Sequence, residues 1–214
     1  MSTERDPRLR GLYFITPAPP AGADPAAAHR AMAEAALRGG ARLLQFRDKQ
    51  LAAPAREAVA RELVTLAHAH QALCIINDDV ELAARVAADG VHLGRDDPDP
   101  VAARQRLGRE AIIGISCYND LERARSAQAA GADYVAFGAV FPSPTKPAAV
   151  RAGPDLLRQA RSELRVTICA IGGITPDNAA TVVAAGADML AVIQGISTAA
   201  DPTGAARRIA ELFD

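Results

Sequence analysis

Eight short apolar runs, each followed by a segment with helical periodicity, restrict what this chain can fold into. The runs lie at residues 12–15, 43–46, 73–76, 91–93, 112–115, 134–137, 167–171 and 189–193. Short runs that are apolar throughout are typical of strands buried on both faces of a parallel sheet. Regular alternation of such strands with helices predicts parallel strands that are joined by right-handed crossovers.

The segments between the runs carry repeated helix signals. In residues 54–69, apolar side chains recur at helical spacing, at Ala55, Val59, Leu63 and Leu66. Four helix starts are predicted where a capping side chain precedes proline, at Asp24-Pro25, Asp99-Pro100, Thr175-Pro176 and Asp201-Pro202. The sequence Ala-Gly-Ala-Asp at 130–133 and at 185–188 places a glycine where a left-handed residue can end a helix.

Together these units predict an α/β protein with the (β/α)8 TIM barrel fold. A chain of 214 residues, half of them hydrophobic, is long enough for one barrel with a substantial core. No linker or low-complexity segment divides the chain, so residues 1–214 are expected to form a single barrel domain. A doubly wound sheet is the alternative, although such sheets rarely need eight evenly distributed units.

Composition excludes several classes of function. The net charge of -1 and the absence of a long basic run argue against nucleic acid as a partner. No apolar run reaches the length of a membrane span, and the charged N-terminus does not resemble a signal peptide. Cys74, Cys117 and Cys169 are odd in number and far apart, and Cys74 and Cys169 lie in apolar runs. We therefore expect reduced core cysteines, no metal cluster of thiolates and a cytoplasmic protein.

Polar side chains follow the apolar runs at the points where the strands end. The clearest case is Ile75-Ile76-Asn77-Asp78-Asp79, in which a helix cap would explain only one of the two carboxylates. In a barrel the carboxyl ends of all strands face one mouth, where ligands bind. Polar residues or glycines also follow other strands, at Gln45-Phe46-Arg47-Asp48-Lys49, Arg95-Asp96-Asp97, Ser116, Ser143-Pro144-Thr145-Lys146, Gly172-Gly173-Ile174 and Ile193-Gln194-Gly195.

The glycines after the last two strands predict a phosphate site. Barrels often bind phosphate with the loops after strands seven and eight, where glycine lets backbone N–H groups approach the anion. Gly172-Gly173 precedes a predicted helix start, and Gly195 follows the eighth strand. The alternative is that the glycine pair only forms a tight turn.

The charged residues at the predicted mouth form two groups. Arg47, Lys49 and Lys146 are cations, whereas Asp78 and Asp97 are anions from adjacent strands. Two carboxylates, with water and phosphate as the remaining ligands, are typical of a Mg²⁺ site. Cations around a second anionic group of the ligand indicate a binding site for diphosphate. Ordinary solvated salt bridges are the alternative. His92 is interpreted as either a packing residue or a base, because the sequence assigns it no partner.

These residues carry a resemblance to a known family. The motifs lie over nearly the whole chain, at Tyr13-Phe14-Ile15-Thr16, Gln45-Phe46-Arg47-Asp48-Lys49, Asn77-Asp78-Asp79, His92-Leu93-Gly94-Arg95-Asp96-Asp97, Pro142-Ser143-Pro144-Thr145-Lys146 and Ile171-Gly172-Gly173-Ile174. In this order they resemble the thiamine phosphate synthase family. The resemblance implies a (β/α)8 barrel that joins hydroxymethylpyrimidine diphosphate to thiazole phosphate with release of diphosphate.

The resemblance also implies roles for individual residues. Phe46 and Asp48 would be substrate-binding residues, and those that would hold the pyrimidine diphosphate are Gln45, Arg47, Lys49, Asn77, Ser116 and Lys146. Among these, the residues with catalytic roles would be Arg47, Lys49, Ser116 and Lys146. The thiazole phosphate would lie on Ser143, Pro144, Thr145, Gly173, Ile193 and Gln194, and Asp78 and Asp97 would bind Mg²⁺. The oligomeric state is left open, with a homo-oligomer as one outcome.

Two positions depart from the family pattern. Gln194 stands where the family often has serine, which leaves thiazole phosphate affinity open if a hydroxyl is required there. Arg95-Asp96-Asp97 replaces a Gln-Glu-Asp segment but retains the acid assigned to the metal. Two other functions remain as alternatives: a thiazole tautomerase on the same barrel, and a non-catalytic protein that binds thiamine precursors.

Overall fold

Eight parallel strands form a closed barrel in sequence order, and β1 pairs with β8 to complete it. The computed structural model describes residues 5–142 and 151–214. The strands are β1 Gly11–Ile15, β2 Leu43–Phe46, β3 Leu73–Asn77, β4 Gly90–Leu93, β5 Ile112–Tyr118, β6 Tyr134–Phe137, β7 Thr167–Ile171 and β8 Met189–Val192. The predicted (β/α)8 barrel is confirmed.

Helices alternate with the strands and pack around the barrel. They are α1 Pro25–Arg38, α2 Ala53–Ala69, α3 Val80–Val86, α4 Pro100–Leu107, α5 Leu121–Ala129, α6 Pro154–Glu163, α7 Ala179–Ala184, α8 Gln194–Ser197 and α9 Pro202–Ala210, followed by a short 3₁₀ turn at Glu211–Phe213. Among the described residues, no helix is both long enough and apolar enough to cross a membrane.

Two strands continue past the carboxyl ends of the apolar runs that predicted them. β3 includes Asn77, which pairs with His92 of β4, and β5 continues to Tyr118, which pairs with Phe137 of β6. The apolar pattern stops at the first polar side chain, whereas backbone pairing continues for as long as the neighbouring strand remains alongside. Polar site residues therefore lie on the strands themselves, where backbone pairing holds them.

Three of the four predicted helix starts are confirmed. The side chains of Asp24, Asp99 and Asp201 each accept a bond from a backbone N–H in the first turn of the following helix. The start predicted at Thr175-Pro176 is wrong, because α7 begins only at Ala179. The side chain of Asn178 accepts from Thr175 N and donates to Gly173 O, both at 2.9 Å. These two bonds hold the segment in a turn, so the regular helix starts later.

A repeated aspartate ties neighbouring strands together at the end of the barrel where the strands begin. Asp133 and Asp188, the last residues of the two Ala-Gly-Ala-Asp segments, accept from Ile113 N at 2.7 Å and from Ile168 N at 2.9 Å. Asp89 makes the same bond to Cys74 N at 2.7 Å. In each case the aspartate before an even-numbered strand accepts the N–H of the preceding odd-numbered strand. The glycines at 131 and 186 have positive φ, as the helix-end prediction requires.

The core consists of two layers that are separated by the sheet. Side chains that point into the barrel form one cluster, including Tyr13, Leu43, Ile75, Tyr134 and Met189. A larger cluster lies between the sheet and the helices. The three cysteines are free and buried, with Cys74 and Cys117 in the outer layer and Cys169 inside the barrel. This agrees with the prediction that Cys74 and Cys169 are core residues.

Gly114 makes room for an aromatic ring inside the barrel. It lies on β5 opposite Tyr134 of β6, and a Cβ atom at residue 114 would overlap the tyrosine ring. The Tyr134 side chain is fully buried, so it has no open space into which it could move. A larger residue at position 114 would therefore force the ring out of its place.

We expect Gly114→Ala to lower the free energy of unfolding by about 2 kcal/mol, as is typical of overpacked cores. Denaturant unfolding measures this change. Gly153→Ala is the matched control, because a Cβ atom there meets no described residue within 4 Å. Gly153 precedes α6 as its cap, so the loss should stay below about 1 kcal/mol. Equal stability of Gly114→Ala and the wild-type protein would contradict this packing.

Candidate active site

The two carboxylates that follow β3 have different roles. Asp79 caps α3, because its Oδ1 accepts from Leu82 N at 2.8 Å, and its Oδ2 lies 3.1 Å from Arg56 Nη2. Asp78 takes no part in that cap. Its φ of 63° lies in the left-handed region, which is uncommon for a residue with a side chain and is tolerated best by Asn and Asp. The helix-cap alternative therefore accounts for Asp79 and leaves Asp78 at the mouth.

Asp78 and Asp97 bring two carboxylates together beside a lysine. Asp78 Oδ2 lies 3.1 Å from Lys49 Nζ, and Asp97 Oδ2 accepts from Gly94 N at 2.6 Å. Burial raises the pKa of Asp97, and the Asp78 carboxyl group beside it adds to that rise, although Gly94 N–H and Lys49 act in the opposite direction. A carboxyl group whose pKa is raised by burial and by a neighbouring acid lies where a cation is favourable.

This donor set fits a hard divalent cation that takes only part of its coordination from protein. Among residues 5–142 and 151–214, no group of three or more His, Cys, Asp or Glu side chains is placed to hold a metal. Mg²⁺ commonly binds through one or two carboxylates and keeps water or phosphate as its other ligands. Asp78 and Asp97 match that pattern, whereas a zinc site with several protein ligands does not.

The loop after β2 is held by a buried hydrogen bond between Asp48 and His29. Asp48 Oδ2 lies 2.7 Å from His29 Nε2 of α1, and the two side chains are 3% and 1% exposed. Asp48 Oδ1 accepts from Gln50 N at 2.7 Å and Leu51 N at 2.9 Å. The Asp48 carboxylate is therefore committed to the loop that carries Lys49.

Burial by itself would raise the pKa of Asp48. Hydrogen bonds from His29 and from the backbone N–H groups of Leu51 and Gln50 outweigh that effect, so the pKa of Asp48 lies below its ordinary value. A carboxylate with a lowered pKa stabilises the fold at pH values above its unfolded pKa, and this contribution is lost as the pH falls through the folded value. The hydrogen bonds that Asp48 accepts therefore stabilise the loop after β2 at neutral pH.

Phe46 is also turned away from the mouth. Its ring is 2% exposed and packs edge-on against His29, with 5.2 Å between the ring centroids. Arg47 is partly exposed, and its backbone N donates to Thr16 Oγ1 at 3.0 Å. Any contact of Phe46 or Asp48 with a ligand would therefore be made by the backbone.

Two residues to which the sequence analysis gave no individual role position parts of the site. Thr16, at the end of β1, binds the backbone of Arg47 and is 1% exposed. Arg123 of α5 donates from Nε to Ser116 O at 2.7 Å and from Nη2 to Gly94 O at 2.9 Å. Arg123 thus joins the ends of β4 and β5. The Thr16 contact spans 31 residues and the Gly94 contact 29, so no local signal in the sequence could have revealed them.

His92 has two partners that the sequence did not assign to it. Its Nδ1 lies 2.9 Å from the Tyr134 hydroxyl and its Nε2 lies 2.8 Å from Ser116 Oγ. Burial lowers the pKa of His92 to about 4, and the Asp78 carboxylate only partly offsets this. His92 therefore lies inside the barrel as a neutral ring bonded to a predicted site residue.

The loops after β7 and β8 meet at glycines. Gly172 and Gly173 have φ values of 104° and 65°, which side chains rarely adopt. A Cβ atom at Gly173 would overlap Pro142 O, and one at Gly195 would overlap Ile174 O. The Gln194 side chain is exposed at the start of α8. Gly195 thus brings the loop after β8 against the loop after β7, and Gly173 brings the loop after β7 against Pro142, which follows β6.

The described members of the predicted site lie at or near the carboxyl ends of the strands. Four predicted residues lie outside the described residues: Ser143, Pro144, Thr145 and Lys146. A pocket of about 240 Å³ lies beside the ends of β2 and β3, lined in part by Lys49, Asn77 and Asp78. A larger cavity of about 700 Å³ includes Arg5, Arg161 and Asp188. Asp188 accepts from Ile168 N near the start of β7, so that cavity lies at the end of the barrel away from the mouth.

Comparison with known proteins gives a consistent result over nearly the full chain. The family model described as thiamine monophosphate synthase matches residues 12–196. A protein of Thioalkalivibrio sulfidiphilus named thiamine-phosphate synthase is 58% identical over 212 residues, with 99% of each chain covered. A protein of Chromobacterium violaceum with the same name is 56% identical over 207 residues, covering 97% of this chain and 98% of its own.

A solved structure agrees with these sequence relatives. The structure of thiamine phosphate pyrophosphorylase from Pyrococcus furiosus superimposes with a TM-score of 0.85 at 32% identity, and 96% of each chain is covered.

We expect Asp48→Ala to lower the free energy of unfolding at pH 7 by about 2 to 3 kcal/mol, because His29 and two backbone N–H groups lose a buried acceptor. Thermal melts measure the loss, and it should shrink as the pH falls below the ordinary pKa of aspartate and through the lower pKa of Asp48 in the folded protein. Asp24→Ala is the matched control. Asp24→Ala removes an exposed helix cap and should cost about 1 kcal/mol. Equal losses for the two variants would contradict the claim that the buried Asp48 carboxylate stabilises the loop after β2.

Proposed function

Since this chain belongs to the thiamine monophosphate synthase family, we propose that it transfers a pyrimidine group between two small molecules. The substrates are 4-amino-2-methyl-5-(diphosphooxymethyl)pyrimidine and 4-methyl-5-(2-phosphoethyl)thiazole, and the products are thiamine phosphate and diphosphate. The observation that carries this proposal is the cluster of Lys49, Asp78 and Asp97 at the ends of adjacent strands. That cluster suits a diphosphate held together with a divalent cation.

The reaction needs charge stabilisation more than a strong base. The bond between the methylene carbon and the diphosphate oxygen breaks, and its electron pair leaves with the diphosphate. The aminopyrimidine stabilises the cation that remains, and the lone pair of the thiazole nitrogen then forms the new C–N bond. The enzyme must offset the charge on the leaving group, exclude water and position the nucleophile.

Cationic side chains are proposed to hold the diphosphate as it departs. Arg47, Lys49 and Lys146 are assigned this role, and Lys49 is 63% exposed at the mouth, where a ligand can reach it. Two unit charges about 4 Å apart attract by about 4 kcal/mol at an effective dielectric of about 20. Two or three such contacts would supply much of the lowering of the barrier.

Asp78 and Asp97 are proposed to bind Mg²⁺. When bound, the ion supplies positive charge that offsets the charge on the departing diphosphate. Lys49 Nζ lies beside Asp78, and its exposed side chain can turn toward the diphosphate when the ligand binds. The raised pKa of Asp97 beside a second acid supports a cation at this position.

The pyrimidine is proposed to contact Gln45, Asn77 and Ser116, with backbone contacts at Phe46 and Asp48. Gln45, Asn77 and Ser116 come from β2, β3 and β5, whose carboxyl ends share one mouth. The thiazole phosphate is assigned to Gly173, Ile193 and Gln194 and to Ser143, Pro144 and Thr145. Among the described residues, the close approach of Gly195 to Ile174, next to Gly173, supports this assignment.

Several expectations from the sequence stay predictions. These are the span of the single domain over residues 1–214, the cytoplasmic location and the formation of a homo-oligomer.

A coupling assay tests the proposed function. The purified protein is incubated with both precursors and Mg²⁺, and the release of diphosphate and formation of thiamine phosphate are measured. A synthase produces both compounds. A thiazole tautomerase would interconvert thiazole phosphate isomers without releasing diphosphate, and a binding protein would change neither substrate.

We expect Asp78→Ala and Asp97→Ala each to lower turnover by at least a hundredfold. The loss should lie mainly in kcat, because the charge on the leaving group develops in the transition state. The double variant should be little worse than either single one, since two ligands of one ion act as a unit. Turnover measured against Mg²⁺ concentration, together with thermal melts, checks this.

Asp79→Ala and Asp96→Ala serve as matched controls for the metal assignment. Asp79 caps α3, so its removal should cost about 1 kcal/mol of stability and leave Mg²⁺ dependence unchanged. Asp96 is exposed and adjacent to Asp97. Full activity of the wild-type protein in chelator would exclude the proposed metal site.

We expect Gln194→Ser to change the KM for thiazole phosphate by less than threefold. The Gln194 side chain is exposed, so a contact at this position would be made by the backbone N–H. Steady-state kinetics with varied thiazole phosphate measures the effect. A tenfold gain in affinity, which corresponds to about 1.4 kcal/mol, would show that a hydroxyl is required there.

A further inference from the structure

A chain of five hydrogen-bonded side chains crosses the interior of the barrel. Gln45 Nε2 donates to the Tyr13 hydroxyl at 2.6 Å, and the Tyr13 and Tyr134 hydroxyls lie 2.9 Å apart. The chain continues from Tyr134 to His92 Nδ1 at 2.9 Å, and from His92 Nε2 to Ser116 Oγ at 2.8 Å. Its members come from five strands, β2, β1, β6, β4 and β5.

The ends and the middle of this chain have different surroundings. Gln45 and Ser116 are the ends, and both are assigned to the pyrimidine in the proposed function. Tyr13 and Tyr134 in the middle are 1% and 0% exposed, and the two rings meet edge to face. His92 stacks on Tyr134, with 5.5 Å between the ring centroids. The three middle residues have no role in the chemistry proposed so far.

The direction of hydrogen bonding must be the same along the whole chain. Each tyrosine hydroxyl has one proton, so a hydroxyl that accepts from one neighbour donates to the other. Because Gln45 Nε2 can only donate, Tyr13 accepts from it and donates to Tyr134. Tyr134 therefore donates to His92 Nδ1, which leaves the proton of the ring on Nε2. His92 then donates to Ser116 Oγ, and the serine proton is left to point elsewhere.

A doubly protonated His92 is incompatible with this arrangement. Such a ring would donate to Tyr134, which would then donate to Tyr13. Tyr13 would receive two bonds, from Gln45 and from Tyr134, and its own buried proton would have no acceptor. Leaving a buried donor without a partner costs about 1 to 3 kcal/mol.

We propose that this chain couples Gln45 to Ser116 and thereby sets the hydrogen-bonding pattern that the site offers to the pyrimidine ring. In the direction deduced above, Tyr13 accepts one N–H of Gln45, whose Oε1 can accept from a ligand, while the Ser116 hydroxyl keeps its proton and can donate it. Tyr13, Tyr134 and His92 are then positioning residues. They act on the substrate only through the two residues at the ends of the chain.

The proposed pattern matches an aminopyrimidine. An amino group donates and a ring nitrogen accepts, which complements an acceptor at Gln45 and a donor at Ser116. A 4-oxo pyrimidine has the opposite pattern, with an accepting oxygen and a donating ring N–H. The chain would therefore select the amino form, because a site whose buried polar groups are left unpaired rejects a ligand strongly. This inference rests on the proposed function, since it assumes that the pyrimidine binds at Gln45 and Ser116.

Coupling through buried residues explains why the selection can be sharp. If Gln45 or Ser116 could reorient alone, either one could turn to suit an oxo group at little cost. Because the two are joined through Tyr13, Tyr134 and His92, reversing one end requires reversing all of the intervening bonds. A purely structural chain would affect stability but would not distinguish between the two ligands.

The test compares binding of the 4-amino and 4-oxo forms of the pyrimidine methyl monophosphate. These compounds lack the diphosphate leaving group, so dissociation constants can be measured by calorimetry without turnover. For the wild-type protein we expect the 4-amino form to bind at least a hundredfold more tightly. In Tyr134→Phe the chain is interrupted, His92 and Ser116 can reorient, and the preference should fall at least tenfold.

Thr167→Val is the matched control. Thr167 lies beside Tyr134 in the sheet register and is 1% exposed, and its hydroxyl has no hydrogen-bond partner among the described residues. Removing this buried hydroxyl should leave the ligand preference at the wild-type value. Tyr13→Phe interrupts the chain at a second point and should reproduce the effect of Tyr134→Phe, which covers the case that one variant fails to fold.

Nitrogen NMR of the imidazole rings gives an independent measure of direction. We expect His92 to carry its proton on Nε2 in the wild-type protein, with the signal assigned by its loss in His92→Gln. A His92 proton on Nδ1 would overturn this proposal, and so would an unchanged preference for the 4-amino form in both folded tyrosine variants. Either result would leave the proposed function intact if the wild-type protein shows coupling activity. Absence of both coupling activity and monophosphate binding in the wild-type protein would instead overturn the proposed function, and this inference with it.

Discussion

Closure of the barrel by the pairing of β1 with β8 is the constraint on which the site depends. Parallel pairing runs in register from Gly11 with Met189 to Phe14 with Val192, and Gly11 N donates to Asp188 O at 3.0 Å. Because every neighbouring pair is parallel, all carboxyl ends face one mouth. Residues on β2 to β5 thus share that mouth with the glycine loops after β7 and β8, although more than 140 positions separate Gln45 from Gln194 in the sequence.

Aspartate serves three purposes in this fold, and its position relative to the strands decides which. Before a strand, as at Asp133, it accepts the N–H of the preceding strand and ties the sheet at the end away from the mouth. Before a helix, as at Asp79, it caps the first turn. Asp78 follows a strand directly, and its left-handed backbone separates it from the cap that Asp79 provides. The same side-chain chemistry therefore contributes to stability at two places and to the candidate site at a third.

Five polar side chains inside the barrel are hydrogen-bonded to one another. Tyr13 is hydrogen-bonded to Tyr134, and Tyr134 to His92. Gly114 leaves the space that the Tyr134 ring occupies. Buried polar groups that are fully paired hold a single arrangement, whereas a missing partner is costly. In the loop after β2, the side chains of Asp48 and His29 are almost completely buried and hydrogen-bonded to each other, although His29 Nδ1 has no partner among the described residues. Rigid supports of this kind hold the exposed Lys49 and the partly exposed Ser116 at the mouth.

The sequence by itself determined the fold class, the eight strands and the set of strand ends that form the mouth. These depend on short-range patterns of apolar residues, and residues 12–15 and 134–137 illustrate how reliably such runs predict strands. The tertiary structure alone decided which side chains at those ends are free. It committed Asp79 to a cap and Asp48 to His29, and it linked Tyr13 to Tyr134 across 121 positions. Such contacts depend on the direction of each side chain after the barrel has closed, and no local pattern in a single chain records that direction.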